Sequence, residues 1–136
     1  MIEKIDHIAI AVRNLNQIKT IFEDIFDLKH RLVEIHSERK LKVCFIPVGE
    51  VMVELLEPTS PDGNIAKFIE EKGEGLHHIA LRVEDIGETI LELEKRGMKL
   101  RDRKPRLGAG GSKISFIDPD STHSILIELV ERKKDF

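Results

Sequence analysis

The feature that most constrains the fold is an internal repeat. KIDHIAIAV at residues 4–12 and GLHHIAL at residues 75–81 both write His-Ile-Ala followed by an apolar residue, so His7 and His78 stand at matching positions 71 residues apart. VELLE at 53–57 and IELVE at 127–131 form a second matched pair, 74 residues apart. A three-residue difference in loop length reconciles the two offsets. A chain that repeats one phrase and its distant partner in the same order is two copies of one supersecondary unit, and a repeat of this kind decides the fold before any single element does.

Hydrophobic periodicity assigns the elements of each copy. Residues 4–13 alternate and are rich in Ile, Val and Ala, as a strand requires. Asn14 is placed to cap a helix in which Leu15, Ile18, Phe22, Ile25 and Phe26 have helical spacing. Strands are expected at 30–37, 40–47 and 50–57. Ser60-Pro61 reads as a cap with proline in the first helical turn, opening a helix that Gly73 stops. The pattern then restarts, with a strand at 77–84, a helix at 86–96 ended by Gly97, and strands at 98–102, 112–117 and 124–131. The expected class is α+β: two tandem βαβββ modules with curved mixed sheets forming one domain over 1–136. Module 1 spans about 4–57, a connecting helix about 60–73, and module 2 about 76–131.

Composition narrows the function. A net charge of −3 gives no general attraction to nucleic acid or an acidic membrane. No apolar run reaches the ~20 residues of a membrane span, and Met1 leads directly into a strand pattern rather than a signal-peptide layout. The single cysteine, Cys44, excludes an internal disulfide. The expectation is a cytoplasmic protein.

Strand alternation sorts the side chains. In the first strand Ile8, Ile10 and Val12 share one face and His7, Ala9 and Ala11 the other; in the fifth, Val83 lies with Ile79 and Leu81, opposite His78, Ala80 and Arg82. The same reading puts Val51, Val53 and Leu55 under a helix with Glu54 on the reverse face, and Ile125, Ile127 and Leu129 inward with Glu128 on the reverse face. Four strands thus each present one metal-competent side chain: His7, Glu54, His78 and Glu128. Two carboxylates gathered with two imidazoles are costly unless a cation joins them. Nitrogen and oxygen donors without thiolate suit Co2+, Mn2+, Ni2+ or Zn2+ better than Ca2+ or Mg2+. His77 faces the wrong side of its strand and matches Asp6 of the first copy, which suits a structural role. His30, His36 and His123 show no partner spacing and read as surface or loop residues.

At these residues the chain resembles the vicinal oxygen chelate superfamily and, within it, the methylmalonyl-CoA epimerase family. The resemblance runs over residues 4–131 and is closest at FIPVGEVMVELLEPTSPDGNIAKFIEEKGEGLHHIAL, PRLGAGGSKISFIDP and LIELVE. It implies one divalent ion held by His7, Glu54, His78 and Glu128, an acyl-CoA substrate, interconversion of (R)- and (S)-methylmalonyl-CoA through an enolate, and a homodimer. Inversion needs a proton acceptor on one face of the planar intermediate and a donor on the other. Glu128 is the expected carrier for one role. Some family members place a glutamate on the third strand; here the register reading offers Lys42, with Glu38 nearby in the turn. A second departure is DPDSTHS at 118–124, where the family usually carries a lysine. The basic run LRDRKPR at 100–106 and the GAGG loop at 108–111 are the segments expected to approach phosphates or the pantetheine arm. The alternatives on the same scaffold are a glyoxalase-type lyase acting on a thiohemiacetal and a non-enzymatic drug-binding module; an extradiol dioxygenase would use three ligands, and Glu54 as a fourth disfavours it. The segment around 53–78 speaks against the first, and the metal-competent set together with the absence of Trp and Tyr against the second.

Overall fold

The computed structural model describes residues 1–133. Its elements are β1 (Ile2–Ala11), α1 (Leu15–Thr20) continued by a π-helical turn (Ile21–Ile25), β2 (Leu32–His36), β3 (Leu41–Val48), β4 (Val51–Pro58), α2 (Asn64–Lys72), β5 (Gly75–Val83), α3 (Ile86–Lys95), β6 (Arg106–Leu107), β7 (Lys113–Phe116) and β8 (Ile127–Glu131). Short 3-10 turns at Ala109–Gly111 and Pro119–Thr122 flank β7. Among the described residues no helix is long and apolar enough to cross a membrane. Contacts group the chain into two compact units, one of His7–His77 and one of residues 1–6 together with His78 onward.

In the unit of residues 7–77 the strands run β2-β3-β4-β1. β1 is parallel to β4, and β3 is antiparallel to both β2 and β4. The Asn14 side chain accepts from the Gln17 amide and starts α1, as its position in the sequence leads one to expect. The helix buries Leu15 and Ile18 against Ile10, Val12, Cys44, Ile46, Val53 and Leu55. One face of this sheet is therefore the α1 face.

The second unit repeats the plan as β5-β8-β7-β6, with β5 parallel to β8 and β7 antiparallel to both β8 and β6. Asp85 caps α3, and Ile86, Ile90 and Leu93 pack on Val83, Leu100, Ile117, Ile127 and Leu129. The opposite face carries Ala80, Ile114, Phe116 and Val130.

Three boundaries differ from the sequence reading. Ser60 does not cap α2: residues 59–63 form a turn in which the Ser60 hydroxyl donates to Asp62, and the helix starts after Gly63. The strand expected at 98–102 reduces to a single bridge, Leu100 to Ile117, and the last partner of β7 is instead the two-residue β6. The 3-10 turn at Pro119–Thr122 delays β8 to Ile127 and leaves Ile125, expected to face inward, exposed. At each place a side-chain hydrogen bond of Ser or Asp sets the local path: Ser60 to Asp62, the Phe116 amide to Asp102, and the Asp120 amide to Asp118.

Candidate functional site

The two units place their chemistry at equivalent positions. In the first, Ala9 of β1 stands opposite Glu54 of β4, and Glu54 stands opposite Phe45 of β3. In the second, Ala80 of β5 stands opposite Glu128 of β8, and Glu128 opposite Phe116 of β7. Each histidine lies two residues before its alanine, hence on the same face. The result is an imidazole beside a carboxylate, with alanine leaving room between strands and a phenylalanine walling the outer side. His7 Nδ1 is 3.1 Å from Glu54 Oε2, and His78 Nε2 is 3.6 Å from Glu128 Oε2. The Phe116 ring meets the His78 ring edge to face at 5.3 Å and fixes its plane.

All four side chains are buried. Burying two carboxylates costs several kcal/mol each unless a positive charge or hydrogen bonds compensate. The donor chemistry fits a divalent ion. Two ligand atoms each about 2.1 Å from one ion, at octahedral to tetrahedral angles, are about 3.0–3.4 Å apart, close to the separation within each pair.

Lys42, expected as a proton carrier, is not on this face. It pairs in register with Glu57, one step from Cys44 opposite Leu55, which puts it on the α1 side of the sheet. Its ammonium lies 3.7 Å from Glu57, whose other oxygen accepts from the Leu15 amide at the start of α1. Glu38 is in the turn and exposed.

The remaining histidines are sorted by their partners. His77 packs edge-on against Phe68 of α2, which is structural. His30 is not a solitary surface residue: its Nδ1 lies 2.7 Å from Glu23, and that hydrogen bond holds the Glu23 carboxyl below its usual range. His36 is also partnered, with Nε2 2.9 Å from Glu34. His123 adopts a left-handed backbone (φ 53°) and ends the 3-10 turn that Asp118 caps, so the DPDSTHS departure builds a local turn.

One cluster escaped the sequence reading. Asp6, the residue before His7, accepts from Arg82 Nε at 2.8 Å and from Arg132 Nε at 3.0 Å and Nη2 at 3.1 Å. Arg132 Nη1 also donates to the Ala109 carbonyl and so anchors the glycine-rich turn. Arg132 sits in a charged run of the sequence, yet its side chain is 3% exposed. In the basic run, Arg103 pairs with Glu94, while Arg106 pairs with Asp102 and lies 5.7 Å from the Phe116 ring centre.

The model of the glyoxalase/bleomycin resistance protein/dioxygenase superfamily matches residues 6–116. The chain is 39% identical over 132 residues to the uncharacterized protein YqjC of Bacillus subtilis, covering 97% of this chain and 94% of that one. It is 30% identical to an ethylmalonyl-CoA/methylmalonyl-CoA epimerase of Cereibacter sphaeroides over 131 residues, covering 95% and 98%. Among solved structures, a methylmalonyl-CoA epimerase in complex with methylmalonyl-CoA and NH4+ superposes with a TM-score of 0.92 at 28% identity, over 98% of this chain and 96% of that one.

Proposed function

The chain belongs to the glyoxalase/bleomycin resistance protein/dioxygenase superfamily, and on that premise we propose that it is an epimerase interconverting (R)- and (S)-methylmalonyl-CoA with one divalent metal ion. The observation that carries the reading is the pair of buried imidazole–carboxylate sets at repeat-equivalent register, in a chain similar over nearly its full length to acyl-CoA epimerases. In this reading His7, Glu54, His78 and Glu128 hold the ion, Co2+ or Mn2+ before Ni2+ or Zn2+, because nitrogen and oxygen donors without sulfur suit these metals. When bound, the ion supplies Lewis-acid charge that favours loss of the substrate's α-proton.

The side chains supply the rest. Glu128 carries a proton to or from the α-carbon. Its burial keeps bulk water from competing, and Phe116 and Ala80 on either side leave the carboxylate little freedom. Ala9 and Ala80 keep the faces beside the two glutamates low, so that a small branched acyl group has room. Arg106, half-exposed beside Phe116, is placed for an anionic part of the substrate. The cytoplasmic location and the homodimer belong to the same reading.

The test is incubation of the metal-loaded protein with one epimer of methylmalonyl-CoA in deuterated water. Appearance of the other epimer, lost on chelation and restored by Co2+ or Mn2+, is the expected result. Turnover of methylglyoxal with a thiol, and none of the acyl-CoA, would assign the lyase reading instead.

A further inference from the structure

The outermost ladder of the second unit turns one cation onto the face of Glu128. Phe116 stands opposite Glu128, and two residues back along β7 Ile114 stands opposite Arg106 of β6. Directly opposed residues share a face, as do residues two apart on one strand. Arg106 therefore lies on the side of Glu128, Phe116 and Ile114. The cations around it go elsewhere. Arg103 pairs with Glu94 of α3, and Lys113, opposite Leu107, pairs with Glu131 on the other face. Arg82 and Arg132 are committed to Asp6, and Arg132 also to the Ala109 carbonyl.

Arg106 is held in one pose by a single carboxylate. Its Nε lies 3.3 Å from Asp102 Oδ1, and its guanidinium carbon lies 5.7 Å from the centre of the Phe116 ring. The Phe116 amide donates to Asp102 Oδ2 at 2.9 Å. Asp102 thus joins the backbone of Phe116 to the cation that lies over the ring of the same residue. An ion pair this exposed adds little stability; its effect is to orient. With Nε facing Asp102 and the plane supported by the ring, the Nη pair is left over. Among the described residues no group bonds to it, and the side chain keeps 47% of its surface exposed. Two parallel N–H donors on a fixed plane match the two oxygens of a carboxylate, and holding the plane beforehand lowers the entropy lost on binding.

Glu128 and this guanidinium flank the same residue. The Cβ atoms of Phe116 and Glu128, as a directly opposed pair, are about 4.5–5.5 Å apart, and the guanidinium is 5.7 Å from the ring centre. An anion bound there lies close to the carbon that Glu128 serves. In a malonyl-type acyl-CoA the free carboxylate is attached to that carbon, whereas the phosphates are a whole pantetheine arm away. We propose that Arg106, positioned by Asp102 across the Phe116 ring, selects acyl groups that bear a free carboxylate, taking that carboxylate through its Nη pair. This rests on the epimerase reading above and names the part of the substrate that Arg106 reads.

The test measures calorimetric binding of three ligands to the Co2+-loaded protein: malonyl-CoA, propionyl-CoA, which lacks the carboxylate, and malonyl-pantetheine, which lacks the phosphates. Arg106→Gln should weaken malonyl-CoA and malonyl-pantetheine by about tenfold or more, the size of a lost charged hydrogen bond, and leave propionyl-CoA at its wild-type affinity. Arg106→Lys keeps the charge without the planar fork and should recover only part of the loss. Asp102→Asn should give the same ligand pattern at smaller size, because it acts through Arg106; a loss that extends equally to propionyl-CoA would show a merely structural role and overturn the positioning. Melting midpoint and cobalt content should match wild type in all three variants. Unchanged affinity of Arg106→Gln for malonyl-CoA overturns the assignment. So does a loss on both CoA ligands that spares malonyl-pantetheine, which would give Arg106 to a phosphate. Inversion of methylmalonyl-CoA by the wild type is followed in parallel. Its failure overturns the epimerase reading, whereas inversion without an Arg106-dependent preference for the carboxylate overturns this assignment alone.

Discussion

Replacing Asp6 by Asn should destabilise the protein severely for a single isosteric change. The Asp6 side chain is 1% exposed and Arg132 3%, whereas Arg82 keeps 15%. Asn retains one acceptor, loses the charge, and turns an amide donor toward two guanidinium groups that are also donors. Arg82 can move its charge toward water, so its share is small. Arg132 cannot, because Nη1 is held by the Ala109 carbonyl at 3.1 Å. Its contacts to Asp6 at 3.0, 3.1 and 3.2 Å lose their carboxylate. Breaking a buried pair by removing one partner costs about 3–5 kcal/mol; the partial escape of Arg82 places this site near the lower end, about 3 kcal/mol. For a chain of this size, at about 4 °C per kcal/mol, the melting midpoint should fall by about 12 °C. Thermal melting by circular dichroism at pH 7, with a urea midpoint as a second probe, measures it. The double variant Asp6→Leu with Arg132→Met should recover most of the loss, because it leaves Arg132's position without charge. A shift under about 3 °C for Asp6→Asn would show that Arg132 finds water or another acceptor, and the burial argument would be wrong.

The other expectations are narrower. Glu128→Gln should lose about 10²–10⁴-fold in epimerisation rate and Glu54→Gln about tenfold or less, with metal retained in both; equal losses measured alongside metal analysis would reduce Glu128 to a ligand. Burial against α1 pushes the Cys44 thiol up to about 11 from 9.0, so it stays protonated at neutral pH. It should resist a thiol reagent until denaturant is added, and its contribution to stability should be complete below pH 9 and fade as pH rises toward 11. Gly108→Ala should cost about 1–3 kcal/mol by overpacking, since a Cβ there would lie 2.5 Å from an Ile114 methyl and 2.9 Å from the Ser112 hydroxyl; a urea midpoint equal to wild type would contradict it. Light scattering should give twice the 15.6 kDa chain mass if the expected homodimer forms.

The repeat, the α+β class and the helix-covered faces were legible in the sequence because all three rest on spacing. His7–Ala9 and His78–Ala80 alternate with Ile and Val at period two, and that alternation alone decides which side chains share a face. Glu54 and Glu128 were legible for the same reason, sitting at one parity in two copies of one phrase. What the tertiary structure alone decided involves residues whose partners are distant in the chain. Asp6 and Arg132 are 126 positions apart, and nothing local distinguishes Arg132 from the charged residues beside it. Lys42 looked inward because the sequence gives the alternation of β3 but not its register; pairing with Glu57 fixed that register and sent Lys42 to the α1 face. His36 read as a surface or loop residue, and its neighbour Glu34 drew no reading. Their turn away from the α1 face, which leaves Val33 and Ile35 exposed, runs against the hydrophobicity of β2 itself, so it is set by pairing with β3 and by the Glu34–His36 contact rather than by any preference that the strand's own residues express.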